Sequence, residues 1–261
     1  MNAITSRVST GIAALLMLSG FSSSPADTAA SGSFDARLRA VRELRRAQPV
    51  DWAEFEKAAA ALRRDFPSER DAYDPLFSLI NHYQPIDPDR ARKLAEEMIN
   101  SPAPEAFKAR AKGVIHRIDL LGKPVPLQVT AVDGREVDLS QLKGKVVLID
   151  FWATWCRPCI VSLPKVKQAY EKFHADGFEI IGISCDENRE ALETFVSRND
   201  MPWPQYFDGK RQDENRFTRE FGIIGVPHML LIDRNGRLRF DNVSADAADF
   251  EEKTQSLVRE K

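Results

Sequence analysis

Cys156 and Cys159 are separated by two residues, Arg157 and Pro158, in the stretch Asp150-Phe151-Trp152-Ala153-Thr154-Trp155-Cys156-Arg157-Pro158-Cys159. An apolar run precedes the pair and a helical pattern follows it, so the first sulfur falls where a strand hands over to a helix. Free backbone N–H groups and the helix dipole favour an anion there. The thiolate is the nucleophile in disulfide exchange, and this setting lowers its pKa below that of free cysteine. Arg157 adds a positive charge in the same direction. Cys159, one turn inside the helix and expected to be the more buried of the two, is placed to attack a mixed disulfide. Pro158 lies in the first turn, where its missing N–H costs nothing.

Other uses of such a pair are weaker. A structural zinc site needs two more ligands, and the chain has three cysteines, no second spaced pair and four histidines. An inert bridge leaves the strand–Trp–Cys–helix context unexplained. The third thiol, Cys185, ends an apolar run and reads as a small core residue rather than a further redox group. Trp152 and Trp155 flank the pair as candidates for an apolar docking rim, and Trp203, between two prolines, reads as loop packing.

The elements that must position the pair alternate between strand and helix. Leu127–Val132, the turn Asp133-Gly134 and Arg135–Leu139 read as a hairpin. Val146–Phe151 and Phe178–Ser184 read as buried strands, and Arg157–His174, Asn188–Arg198 and Asp213–Phe221 as helices. His228–Ile232, the turn Asp233–Gly236 and Arg237–Asp241 read as strand, turn and strand, and Asp246–Arg259 as a closing helix. The pattern implies an α/β layered sheet with an antiparallel hairpin at its end.

Upstream the pattern is helical throughout. Asp51–Glu54 is a capping-box-like start to a helix that ends before Pro67. Pro88 occupies a first-turn position, and Glu105–Leu121 stops at Gly122 and Pro124. We therefore expect a helical N-terminal region of unknown role over residues 31–122 and an α/β domain over 123–261. Residues 1–30 read as an export signal. Arg7 precedes the apolar run Gly11–Leu18, and Ala26 or Ala29–Ala30 offer cleavage points. Export puts the protein in the periplasm or another extracytoplasmic space, where disulfides persist. No stretch is apolar enough for a membrane span after signal removal. A net charge of −2, from 37 basic and 39 acidic side chains, gives no reason to expect nucleic acid as a partner.

From about Val125 onward, roughly half of the chain resembles the thioredoxin superfamily, and more narrowly its exported TlpA/ResA-like branch. Pro164, five residues after Cys159, matches a proline in the family's active-site helix. Gly225-Val226-Pro227 resembles the Val/Ile–cis-Pro segment that faces the cysteine pair. Asp233-Arg234-Asn235-Gly236 resembles the turn of the closing hairpin. The resemblance implies a thioredoxin-like fold, a central mixed sheet flanked by helices, and a cis bond before Pro227. That bond would present the Val226 backbone to an extended partner segment. It also implies that Asp150 stands where thioredoxins carry a buried acid, although many of the exported branch have Asn there. Glu187 resembles an acid used beside the pair. Asp150 and Glu187 are thus candidate proton handlers, Trp155, Val226 and Pro227 candidate substrate contacts, and Arg157 and His228 candidate tuning groups.

These residues together read as a thiol–disulfide oxidoreductase, with a lean towards a reductase of selected proteins outside the cytoplasm. Its partners would be disulfide- or thiol-bearing proteins and an upstream thiol electron donor, with no cofactor or metal. Two rivals stay open. A peroxiredoxin-like thiol peroxidase would use Cys156 with Thr154, although no proline lies between them. A copper-binding or metallochaperone module would use Cys156, Cys159 and His228.

Overall fold

The protein was analysed as a computed structural model that describes residues 32–260; the expected export signal lies outside the described residues. Among the described residues, five helices come first: α1 (Phe34–Arg46), α2 (Trp52–Asp65), α3 (Asp74–Tyr83), α4 (Pro88–Asn100) and α5 (Glu105–Leu120). Their starts follow from local chemistry. The Asp51 carboxylate accepts from the Glu54 amide and Asp87 accepts from the Arg90 amide, each satisfying a first-turn donor. Pro88 sits in the first turn as expected. Leu38, Phe55, Leu62, Tyr73, Leu76, Ile80, Met98 and Val114 form a core drawn wholly from these helices and the turns between them.

The chain then crosses to the sheet without a free linker. Gly122 N donates to Leu238 O, Leu238 N to Lys123 O and Val125 N to Gly236 O. A small antiparallel hairpin, β1 (Gln128–Thr130) and β2 (Glu136–Asp138), forms a two-stranded sheet of its own, bridged to the main sheet just past β1 by Val132 N donating to Gln205 O. That sheet has five strands in the order β5-β4-β3-β6-β7: β3 (Val146–Trp152), β4 (Phe178–Ser184), β5 (Gln205–Tyr206), β6 (His228–Ile232) and β7 (Leu238–Val243). β3 runs parallel to β4, and β4 to β5; β6 runs antiparallel to both β3 and β7. This is the thioredoxin-like mixed sheet expected from the sequence.

Every residue of β3 is buried because helices cover both faces. On one face Leu148 and Trp152 pack with Leu163, Val166 and Phe173 of α6 (Arg157–Phe173) and Leu257 of α9 (Phe250–Arg259). On the other, Val147, Ile149 and Phe151 pack with Phe217 of α8 (Arg216–Glu220) and with Phe221. α7 (Arg189–Arg198) follows β4, with the Asn188 side chain accepting from Ala191 N.

Several elements differ from expectation; β7, expected to end at Asp241, runs on to Val243. The helix expected from Asp213 begins at Arg216, because Asn215 Oδ1 accepts from the amides of Phe217 and Thr218 and caps the helix there. The closing helix begins at Phe250, after a turn in which Ala247 N donates to Ser244 O. β5 has two residues, too few to show a period in the sequence.

Candidate functional site

The buried strand β3 ends at Trp152, and the chain turns so that Cys156 N donates to Ala153 O at 3.1 Å. Cys156 is the N-cap of α6, with Pro158 in the first turn, and its Sγ accepts from the Cys159 amide at 3.2 Å. The two cysteines are joined by a disulfide, their Cα atoms 5.2 Å apart. In the reduced pair, that same amide and the helix N-terminus favour a thiolate on Cys156. The expectation that Cys159 is the more buried is corrected: Cys156 is 3% exposed and Cys159 6%. Bonded to each other, both sulfurs lie against the cluster that holds Trp152 and Leu163.

The two tryptophans part company. Trp155, directly before Cys156, is 61% exposed, and Ile160 and Val161, directly after Cys159, are exposed as well. Trp152 belongs to the core, its indole N–H donating to Gln205 Oε1 at 2.9 Å, so it is no part of the rim. Trp203 is also a core residue, packed on Tyr170. Arg157 projects to solvent beside Cys156. Pro164 lies inside α6, where it leaves the Ile160 carbonyl without its helical donor.

One residue the sequence reading passed over holds the turn in place. Asp186 is buried, and its carboxylate accepts from Thr154 N at 3.1 Å, from Thr154 Oγ1 at 2.6 Å and from Ser184 Oγ at 2.8 Å. Its neighbour Glu187, the residue singled out from the sequence, is solvent-exposed. The only available signal was an acid directly after a buried strand, which does not reveal a partner 32 positions away.

Asp150 lies between Leu148 and Trp152 on β3, so alternation turns it towards the layer occupied by α6 and the cysteine pair. Burial pushes its carboxyl up to about 7, and Oδ1 has no hydrogen-bond partner. Cys185 is a buried free thiol. Burial, then the acids Asp186, Asp208 and Asp150, push it up to about 12, which makes it inert as a nucleophile.

The Val226–Pro227 bond is cis, and half-buried Val226 packs against the cluster containing Cys156 and Cys159. His228 follows at the start of β6, paired with Phe151 on β3, and is buried. Its Nε2 lies 2.7 Å from Asp241 Oδ1. A carboxylate only accepts, so Nε2 carries the proton. Burial lowers the His228 pKa and Asp241 offsets this in part. Burial would raise Asp241, but the Arg117 guanidinium and His228 outweigh it and hold the carboxyl down at about 2. Among the described residues, no group of three or more His, Cys, Asp or Glu side chains is arranged to hold a metal ion.

A redoxin family model matches residues 100–257. The thiol-disulfide oxidoreductase ResA of Bacillus thuringiensis subsp. konkukian is 34% identical over 119 residues, 45% of this chain and 66% of that protein. The chain thus spans just under two thirds of the length of the ResA relatives it matches. A probable nucleoredoxin 2 of Oryza sativa subsp. japonica is 34% identical over 150 residues, 56% of this chain and 35% of that protein. Among solved structures, a putative thiol:disulfide interchange protein DsbE from Chlorobium tepidum is 31% identical with a TM-score of 0.46, covering 54% of this chain and 96% of that one. The thioredoxin domain of a thiol-disulfide oxidoreductase from Bacteroides vulgatus is 26% identical with a TM-score of 0.47, covering 53% of this chain and 98% of that domain.

Proposed function

This chain belongs to the redoxin family, and from that premise we propose that it exchanges disulfides with partner proteins through Cys156 and Cys159. The observation that carries the reading is the capping geometry: Cys156 Sγ sits at the N-terminus of α6, 3.2 Å from the Cys159 amide and within bonding reach of Cys159. In the reducing direction, the Cys156 thiolate attacks one sulfur of a partner disulfide, forms a mixed disulfide and releases the other partner sulfur as a thiolate. Cys159 then gives up its proton and attacks Cys156 Sγ. The Cys156–Cys159 bond forms, the second partner sulfur leaves, and two electrons have passed to the partner. Asp150, turned towards the same layer with a carboxyl that titrates near neutrality, takes up the Cys159 proton as a general base.

The cis Val226–Pro227 segment offers backbone for pairing with an extended partner chain, and Trp155 offers apolar contact beside it. Arg157 and His228 tune the pair, Arg157 by its charge and His228 from behind the sheet. We read the protein as an extracytoplasmic reductase, fed by an upstream thiol protein. The thiol-disulfide oxidoreductase name of its ResA relatives supports the exchange chemistry, and the export-like residues 1–30 support the location.

Trapping is the test. Reduced Cys159→Ser protein should accumulate disulfide-linked adducts with its partners through Cys156, identifiable by mass, while Cys156→Ser forms none. No adduct, together with no insulin reduction by the wild type, would end the reading.

A further inference from the structure

The helical region meets the α/β part at Phe221 and Gly222, a few residues before Pro227, and at Asp241. Helix α5 lies so close to the segment following α8 that a Cβ on Gly113 would stand 2.5 Å from Gly222 Cα and 2.6 Å from its carbonyl oxygen. Gly222 has φ +61°, a conformation that suits glycine. One turn along the same face of α5 is Arg117, which is 3% exposed. Its Nη1 donates to Phe221 O and to Gly222 O, both at 2.8 Å, and its Nε donates to Asp241 Oδ2 at 2.8 Å.

Asp241 reaches this point because β7 is irregular. Met229 pairs with Val243 and Leu231 with Phe240, so two residues of β7, Asp241 and Asn242, oppose one of β6. Asn242 takes φ +55° in this bulge. Such a bulge re-aims side chains, and here the Asp241 side chain meets Arg117, Gln84 Nε2 and His228 Nε2. Phe221 and Gly222 lie on the N-terminal side of the Val226–Pro227 segment, and His228 follows it directly. One guanidinium from the helical region therefore holds both flanks of that segment, directly on one side and through Asp241 on the other. A buried ion pair is a poor source of stability, and one of its attested uses is to specify a single geometry.

We propose that Arg117 is a positioning residue, fixing the Val226–Pro227 backbone against the cysteine pair so that the helical region sets how a partner's disulfide-bearing segment docks. This rests on the disulfide-exchange reading above. A small disulfide that pairs with no backbone needs no such positioning.

The test uses the full chain as wild type, Arg117→Met, Arg117→Lys and Gly113→Ala, each checked for folding by circular dichroism. Two substrates are compared: insulin, and the small aromatic disulfide 5,5′-dithiobis(2-nitrobenzoate). We expect Arg117→Met and Gly113→Ala to raise KM for insulin by about ten- to a hundredfold, the range for a displaced positioning element, with kcat and the small-disulfide rate within about twofold of wild type. Arg117→Lys keeps the charge but loses the fork, and should fall between wild type and Arg117→Met. Unchanged KM in a folded variant overturns the proposal, as does an equal loss with both substrates. Failure of all three variants to fold also overturns it, because the network would then be a stability device. Wild type inert towards both disulfides would instead sink the exchange reading itself, so the two failures are distinguishable.

Discussion

Thr154 Oγ1 donates to Asp186 Oδ1 at 2.6 Å, and the Thr154 amide is held by the same carboxylate, so the turn that delivers Cys156 to its helix is tied to the end of the neighbouring strand. Asp186→Ala strips three donors of a buried charged acceptor. It should cost about 3 kcal/mol in stability, with Thr154→Val costing about half of that, since only the hydroxyl bond is lost. Denaturant unfolding of the oxidised proteins measures both; equal, negligible losses would show that the turn holds without this carboxylate.

Asp150 predicts an unusual pH dependence. Its carboxyl titrates at about 7 in the folded protein and near 3.9 when unfolded. Between those values the folded state binds the extra proton, so this group's contribution makes stability fall as pH rises from about 4 to 7 and level off above. A gap of about three units corresponds to at most about 4 kcal/mol. His228, whose pKa burial lowers, gives the opposite slope below about 6.5, where the unfolded imidazole gains a proton first. The difference between wild type and Asp150→Asn isolates the carboxyl. The variant should be more stable than wild type at pH 8 by a few kcal/mol and nearly equal at pH 4. It should also flatten the pH–rate profile of disulfide exchange near neutrality.

Reactivity should separate the three thiols. In the reduced native protein, iodoacetamide near neutral pH should label Cys156 first. Cys185, pushed up to about 12 and buried, should be labelled only after unfolding. Peptide mapping reads this directly, and early labelling of Cys185 would contradict the burial found here.

Trp155 should contribute to partner binding rather than to chemistry. Trp155→Ala removes an indole that is 61% exposed, so stability should change by no more than about 0.5 kcal/mol. KM for insulin should rise several-fold, with the small-disulfide rate unchanged; a KM equal to wild type would remove the residue from the docking rim.

Apart from the two-residue β5, the order of elements from β3 to the end of the chain was legible in the sequence because each of the others carries a local signature. β3 is a short β-branched run and α6 opens on a cysteine and a proline. The closing turn is written in Asp233–Gly236, where Asp233 Oδ1 accepts from the amides of Asn235 and Arg237. The cysteine pair was legible for the same reason, since its chemistry depends on a spacing of three along one helix turn. The cis bond at Pro227 and the buried acid at Asp150 came from the family resemblance and not from local pattern.

What the sequence by itself determined is therefore whatever neighbouring residues settle among themselves: strand and helix periods, caps, turns and the Cys156–Cys159 spacing. Only the tertiary structure decided the rest. It sent Trp152 to the core and Trp155 to the surface, tied the turn before Cys156 to Asp186 while leaving Glu187 in solvent, and joined Arg117 to Asp241 across 124 positions. Such choices depend on which faces are covered and which buried polar groups find partners when distant segments meet. That information lies in packing and in a bulge of β7, and no local pattern of residue types encodes it.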